Sequence, residues 1–179
     1  MAQMNSNLGS QVPLKQIQLR LNLPQHVLIH LCEKGVIEPD YSDTTGRGKR
    51  REFSERNVFE FGVALALRRL EVPVCTMALV VRILRTFSRA VSKAVPGFVI
   101  PDAIREQNWD LVLGLYDADL LVFSARSGPL NKPLILGAKL AANRSSDASP
   151  RVTRLNDLPS KYEARIELNL TEIARNTLK

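Results

Sequence analysis

Residues 14–39 read LKQIQLRLNLPQHVLIHLCEKGVIEP, and this segment is the most informative about the architecture of the first half of the chain. Apolar side chains recur at helical spacing over residues 14–21, which predicts a first helix. Asn22 is suited to the left-handed conformation of a tight turn, and Pro24 is suited to begin a second helix that runs to about residue 34. Two helices separated by so few residues predict a helix-turn-helix.

A basic loop follows the second helix. Gly35 suits the end of that helix, and Val36 and Ile37 then read as a short extended segment. Because residues 51–53 can form a returning strand, residues 36–53 are predicted to fold as a β-hairpin wing. The cations at its tip are Arg47, Lys49, Arg50 and Arg51, with Tyr41 nearby. Such a cluster favours contact with phosphate, and a solvated surface is the alternative.

Two longer helices are predicted next. Ser54 can cap a helix over residues 55–70, and Pro73 ends it and begins another over residues 74–94. In this fourth helix the apolar residues alternate at spacings of three and four, which is the pattern of a coiled-coil seam. The stripe consists of Met77, Val80, Leu84, Phe87 and Val91. It predicts a dimer contact, and packing against the third helix is the alternative that needs the same stripe.

The order of helix-turn-helix, basic wing and further helix pair resembles the DNA-binding domain of the MerR family of transcription regulators over about residues 12–92. Two segments carry the resemblance, LIHLCEKGVIEP at residues 28–39 and GKRREFS at residues 48–54. The resemblance implies a winged helix-turn-helix that recognises double-stranded DNA, and a homodimer joined through the long fourth helix. Ile29 stands where the family usually has a DNA-contacting arginine.

The exposed face of the second helix is the predicted base-reading surface, because a helix-turn-helix places this face in the major groove. Gln25 can pair with adenine and Ile29 can touch a thymine methyl, while His26 and His30 can reach phosphate or a base acceptor. His26 and His30 also have the spacing of a two-histidine metal pair. No third ligand lies at a suitable offset, so no metal is expected.

The second half of the chain changes character at Pro96 and Gly97. A short helix is predicted over residues 101–107. Four strands are predicted over residues 110–116, 120–124, 133–140 and 162–168. A last helix is predicted over residues 170–178, and Thr171 can cap it. We therefore expect a mainly α N-terminal winged helix-turn-helix domain at residues 12–95, followed by a small α+β C-terminal domain at residues 96–179. Residues 1–11 are expected to form a disordered tail. The role of the second domain stays open between dimerisation, sensing and binding of a small-molecule or protein partner.

Composition excludes several classes of protein. Of the 179 residues, 45% are hydrophobic and 24% are charged, which is typical of a globular protein. No apolar run is long enough to span a membrane and two cysteines cannot form a disulfide framework, so a soluble, cytoplasmic protein without membrane contact is expected. No histidine follows His30 and no cysteine follows Cys75, so neither catalysis nor a cofactor is expected in the second half. Asp117 and Asp119 are interpreted as turn residues and Trp109 as a core residue.

The positive charge lies mainly in the first half of the chain. The net charge is +7, and residues 1–95 carry 14 Lys or Arg and 8 Asp or Glu, whereas residues 96–179 carry 11 and 10. This distribution favours an anionic partner for the first half. The sequence therefore predicts a DNA-binding transcriptional regulator that acts as a homodimer on double-stranded DNA. Two alternatives stay open, a protein-interaction module that kept the fold without base-specific reading and an excisionase-like architectural DNA binder.

Overall fold

A helix-turn-helix begins the part of the chain that the structure, a computed structural model, describes: residues 11–41, 51–127, 132–144 and 149–178. Helix α1 spans Leu14–Leu21 and helix α2 spans Gln25–Glu33, as the spacing of their apolar residues predicts. Asn22 between them has a left-handed backbone, with a φ of 49°. Leu28 and Leu31 are buried, and this fixes which face of α2 points outward.

The predicted wing pairs differently from the expectation. Strand β2, Glu52–Phe53, is present, but it pairs with strand β1, Val12–Pro13. Val36 and Ile37 form no strand, because both of their N–H groups donate to the Leu31 carbonyl at the end of α2, at 2.9 and 3.3 Å. The predicted hairpin of residues 36–53 is therefore wrong in its strand pairing. Three of the four cations predicted at its tip lie outside the described residues, namely Arg47, Lys49 and Arg50.

Two long helices form the centre of the molecule. Helix α3 spans Glu55–Arg69 and helix α4 spans Val74–Ala94, close to the predicted bounds. Ser54 caps α3 as predicted, since its hydroxyl accepts a hydrogen bond from the Asn57 backbone N–H at 3.1 Å. The Asn57 side chain accepts in return from the Ser54 N–H at 3.2 Å, which completes a capping box.

The apolar stripe of α4 packs inside the same chain. Its residues are at most 3% exposed, and they are Met77, Val80, Leu84, Phe87 and Val91. Helix α4 contacts α3 and the sheet described below, and the Phe87 ring stacks on the Phe123 ring with their centroids 5.5 Å apart. The stripe is thus not free to meet a second copy, so the prediction that these residues form the dimer seam is wrong. The same three-four spacing arises when one face of a helix packs against the core of its own chain, as the face of α4 does here.

Among the described residues of the second half, five antiparallel strands form one sheet in the order β6-β5-β4-β3-β7. The strands are β3 Asp110–Tyr116, β4 Leu120–Arg126, β5 Leu134–Lys139, β6 Thr153–Leu155 and β7 Arg165–Asn169. Helix α5, Asp102–Gln107, precedes the sheet, and helix α6, Leu170–Thr177, follows it. The predicted small α+β domain is therefore wrong, because this half is built around a large sheet. The apolar runs indicated four strands, and β6 was missed.

One face of the sheet continues the helical core. Leu113 lies opposite Phe123 on one side and Leu168 on the other, so these three side chains share a face. A single hydrophobic cluster runs from Val12 to Ala174 and includes residues on both sides of the predicted boundary after residue 95. None of the helices in the described part of the chain has the length and apolarity needed to cross a membrane.

Helix α6 joins the sheet to α3. Its cap is Asn169, whose side chain accepts a hydrogen bond from the Glu172 N–H at 3.0 Å. The prediction that Thr171 caps this helix is wrong, because its hydroxyl is turned inward and accepts from the Leu111 N–H at 2.9 Å. Helix α6 also lies so close to α3 that a Cβ on Gly62 would be 2.5 Å from Cγ2 of Thr177.

Candidate nucleic-acid interface

The outward face of α2 brings the predicted base-reading residues together. We call Gln25, His26, Ile29 and His30 the recognition face. The two histidines and Gln25 are exposed, whereas Ile29 is half-buried. A shallow concavity of about 510 Å³ lies along this face, lined by His26, Val27, Ile29, His30, Glu33 and Arg68. The arrangement leaves three polar side chains on one helix face free to meet a partner.

Arg68 is a residue of this surface that sequence reasoning missed. It lies in the last turn of α3, where a basic residue is expected simply because it complements the helix dipole. The fold places it beside His26 and His30 of α2. No short-range pattern connects these helices, so only the tertiary packing could have found it.

Two contacts hold the helix-turn-helix in place. Arg20 of α1 forms an ion pair with Glu55 of α3 at 2.7 Å, and both side chains are only 19% exposed. At the other end of α2, Gly35 takes a left-handed backbone with φ of 66°, and the Val36 N–H donates to the Leu31 carbonyl at 2.9 Å. The orientation of the recognition face is therefore fixed by the rest of the fold.

The described residues on either side of the basic loop are held together. The Tyr41 N–H donates to the Glu52 carbonyl at 3.4 Å and so draws together the chain on either side of residues 42–50. Tyr41 and Arg51, both predicted to contact DNA, are half-buried at this loop base. The other predicted loop cations, Arg47, Lys49 and Arg50, lie outside the described residues.

Asp40 ties the loop base to the start of α3. Its carboxylate accepts from the Ser54 hydroxyl and from Arg56 Nη2, the latter at 2.5 Å, while its N–H donates to Asn57 Oδ1 at 2.9 Å. Burial alone would raise the pKa of Asp40, but the hydrogen bonds and charges of its partners, with Arg85 among them, outweigh burial and hold the pKa below its ordinary value of 3.8. Asp40 is therefore ionised at neutral pH and clamps the base.

A buried ion pair lies beneath this clamp. Arg85 of α4 binds Glu60 of α3 through Nε to Oε1 and Nη2 to Oε2, both at 2.6 Å, and also donates to the Glu38 carbonyl at 3.0 Å. The Asn57 amide donates to the same Glu60 carboxylate at 3.0 Å. Burial raises the pKa of Glu60, against the opposing effect of Arg85. Burial would lower the pKa of Arg85, but its bonds to Glu60 and the nearby carboxylates raise it.

Sequence reasoning missed this network of Glu38, Asp40, Asn57, Glu60 and Arg85. One signal was present, because Glu60 stands between Phe59 and Phe61 in a helix that is otherwise mostly apolar. A carboxylate at such a position needs a buried cation. Its partner lies 25 residues away, so the pair could not be assigned from the sequence.

The remaining polar candidates serve the fold. Asp117 Oδ1 accepts from the N–H groups of Glu163 and Ala164, and Asp119 Oδ1 accepts from the Ala141 N–H at 3.0 Å. Trp109 is buried against Phe98, with ring centroids 5.0 Å apart. Within the described ranges, no three His, Cys, Asp or Glu side chains lie together in a way that could hold a metal ion.

The chain matches no protein-family model, no curated protein and no solved structure.

Proposed function

We propose that this protein is a transcriptional regulator that binds double-stranded DNA with sequence selectivity. Helix α2 enters the major groove, and the basic loop that follows it contacts the phosphate backbone. The observation that carries the proposal is the recognition face, which presents three exposed polar side chains on the second helix of a helix-turn-helix. The partly buried ion pair of Arg20 and Glu55 fixes the orientation of this unit.

The chemistry of the recognition face suits base reading. The Gln25 side chain has the donor and acceptor needed to bind N7 and N6 of adenine together, and Ile29 offers an apolar contact for a thymine methyl. His26 and His30 can donate to phosphate or to a base acceptor. Specificity then comes mainly from Gln25 and the histidines, because Ile29 cannot form a hydrogen bond.

The charge distribution supports phosphate contact on the same part of the chain. Residues 1–95 carry 14 Lys or Arg residues and 8 Asp or Glu residues, and four of the 14 basic residues lie within residues 46–51. Arg68 adds a further exposed cation beside α2. Phosphate contacts need only charge and reach, so a loop anchored at Asp40 and Tyr41 is well suited to make them.

The resemblance to the MerR family over residues 12–92 supports the same proposal, and with it a homodimer. A two-fold dimer matches the two half-sites of a near-palindromic operator. Since the α4 stripe is buried within one chain, the contact between copies must use another surface.

A protein-interaction module is the second candidate function. The observation that favours it is Ile29, which is half-buried and stands at the centre of the recognition face. On this account the concavity between α2 and Arg68 receives a side chain of a partner protein and reads no base.

In vitro selection from randomised duplexes separates these two functions. We expect the wild-type protein to enrich a short motif, and Gln25→Ala to relax one base position of that motif while leaving non-specific affinity nearly unchanged. Gln16→Ala is the matched control, because Gln16 is an exposed glutamine on α1 outside the recognition face, and this variant should enrich the wild-type motif. Recovery of no motif by the wild-type protein would favour the interaction module.

Salt titration tests the loop independently. For each phosphate contact removed, the slope of log K against log salt concentration should fall by about 0.9. We therefore expect this fall for Lys49→Ala and again for Arg50→Ala, on every duplex sequence. Arg154→Ala removes an exposed cation from β6 and should leave the slope unchanged. An unchanged slope in the loop variants would contradict the proposed backbone contact.

A further inference from the structure

A cleft of about 560 Å³ separates the helix-turn-helix half from the end of the sheet. One wall is the first half of α4, the second is the segment at residues 35–38 that leaves α2, and the third comes from the β3–β4 turn and the residues after β5. The volume lies in the range of pockets that take small organic molecules. None of the DNA-contacting residues proposed above lines this cleft.

One part of the cleft wall is apolar. Val36 and Val81 are buried, and Leu79 and Leu140 contribute further aliphatic surface. These aliphatic side chains can pack against the apolar part of a ligand, but they have no hydrogen-bonding group for a polar part. A ligand that fills the cleft must therefore be partly apolar.

The polar end of the cleft carries a net positive charge, because Arg82, Arg85 and Arg144 line it together with one carboxylate, that of Glu38, which lies 3.7 Å from Arg85. Arg82 has a buried Nε that makes no hydrogen bond within the described residues, and its Nη2 donates to the Asn143 carbonyl. Arg144 is exposed and forms no ion pair or side-chain hydrogen bond with any described residue. Arg85 also lines the cleft, but Glu60 already neutralises it at 2.6 Å. Two guanidinium groups are thus left without a carboxylate partner in the described part of the chain.

We propose that this cleft binds a small organic anion, a carboxylate or phosphate carried on an apolar body. The guanidinium of Arg82 offers a buried donor that needs an acceptor, and an oxyanion supplies one. Arg144 closes on the same anionic group from the solvent side. The apolar body of the ligand then lies against Leu79 and Leu140.

A ligand in this cleft would contact the segment that follows the proposed DNA-reading helix. The cleft wall at residues 35–38 connects α2 to the basic loop, and Arg85 holds that wall through the Glu38 carbonyl. Control of DNA affinity by the ligand rests on the proposed function, whereas binding of the ligand does not. The two are therefore measured separately.

Isothermal titration calorimetry without DNA, in an amine buffer free of phosphate and carboxylate, tests the site. The probes share one ring and differ in charge: benzoate, phenyl phosphate and neutral benzyl alcohol. We expect at least one of the two anions to bind, and benzyl alcohol to bind at least tenfold more weakly. A preference for benzoate identifies a carboxylate ligand, and a preference for phenyl phosphate identifies a phosphate ligand.

Variants then locate the binding. Arg82→Gln should weaken the preferred anion about tenfold or more, and Arg144→Gln, which removes no described contact, should weaken it in the same direction. Arg89→Gln is the control, because Arg89 is an exposed arginine on the same helix outside the cleft. Absence of binding by both anions, equal binding of benzyl alcohol, or an equal loss in Arg89→Gln would overturn the proposal. DNA binding measured with and without the preferred anion, on the same samples, tests the regulatory role by itself.

Discussion

Removal of Arg85, the partly buried partner of the buried Glu60, should be among the most damaging single changes in the helical half. The side chain of Glu60 is 2% exposed and that of Arg85 is 15% exposed, so Arg85→Met leaves a carboxylate in the core without its main partner. Loss of one member of a buried pair costs about 3–5 kcal/mol of unfolding free energy. We expect about 3 kcal/mol, the lower end, because Asn57 still donates to Glu60 and Arg56 lies 3.9 Å from it.

The pH dependence of this loss identifies the carboxylate as its cause. Without Arg85, burial holds the pKa of Glu60 still further above its ordinary value of 4.5. Because the pKa of the Glu60 carboxyl is higher in the folded than in the unfolded protein, the protonated side chain favours folding. This contribution to stability is complete below the unfolded pKa and is lost as the pH rises through the folded pKa. The damage from Arg85→Met should therefore be large at pH 7 and shrink as the pH approaches 4.5. Adding Glu60→Gln should recover part of the loss at pH 7.

Urea unfolding followed by the fluorescence of Trp109, the only tryptophan, measures these free energies. Arg89→Met is the matched control, since Arg89 lies one turn further along α4 and is exposed. Its free energy of unfolding should stay within about 0.5 kcal/mol of the wild-type value. A loss below about 1 kcal/mol in Arg85→Met, or an equal loss at pH 7 and pH 5, would show that the unpaired Glu60 carboxylate is not what destabilises this variant.

Three further predictions follow from the packing and the loop base. Leu84→Ala should lower the free energy of unfolding by about 3 kcal/mol without changing the sedimentation coefficient of the folded protein, whereas dissociation at unchanged stability would make the α4 stripe a dimer seam after all. Gly62→Ala should destabilise by about 1–3 kcal/mol although alanine favours helices, because its Cβ meets the stiff side chains of Thr177 and Ile173, at 2.5 and 2.9 Å. Thr177→Ser should relieve only the part of this clash that is due to Thr177, and a stabilised Gly62→Ala would contradict the close contact. The folded pKa of Asp40 is lowered, so its contribution is present above pH 3.8 and lost as the pH falls through the folded pKa. Unfolding measured between pH 5 and 3 should accordingly show a weaker pH dependence in Asp40→Asn, and an unchanged dependence would count against the clamp.

Local patterns predicted most of the helices and strands. The turn at Asn22 and the cap at Ser54 depend on neighbours within a few residues, and both are found where the sequence places them. The same holds for the hairpin of β3 and β4, whose two apolar runs flank a three-residue turn.

Long-range partners could not be predicted. Strand β2 pairs with Val12 instead of Val36 because register depends on the whole core and not on proximity in sequence. The spacing of the α4 stripe is compatible both with a dimer seam and with packing inside one chain. Only the position of the sheet, which local sequence does not give, distinguishes the two. Glu60 signalled a buried charge, but its cation comes from another helix. In the candidate interface, the face of α2 was predictable from periodicity, whereas Arg68 was not.

Base reading by α2 in the major groove can be measured by combining a base analogue with a protein variant. In the duplex enriched by selection, 7-deazaadenine removes the N7 acceptor from one adenine at a time without altering Watson–Crick pairing. We expect one position at which this change weakens wild-type binding by about 5-fold to 100-fold and hardly weakens binding by Gln25→Ala, because both changes remove the same contact. If every 7-deazaadenine duplex binds the wild-type protein as tightly as the unmodified duplex, or if Gln25→Ala loses as much affinity as the wild type at that position, Gln25 does not read adenine in the major groove.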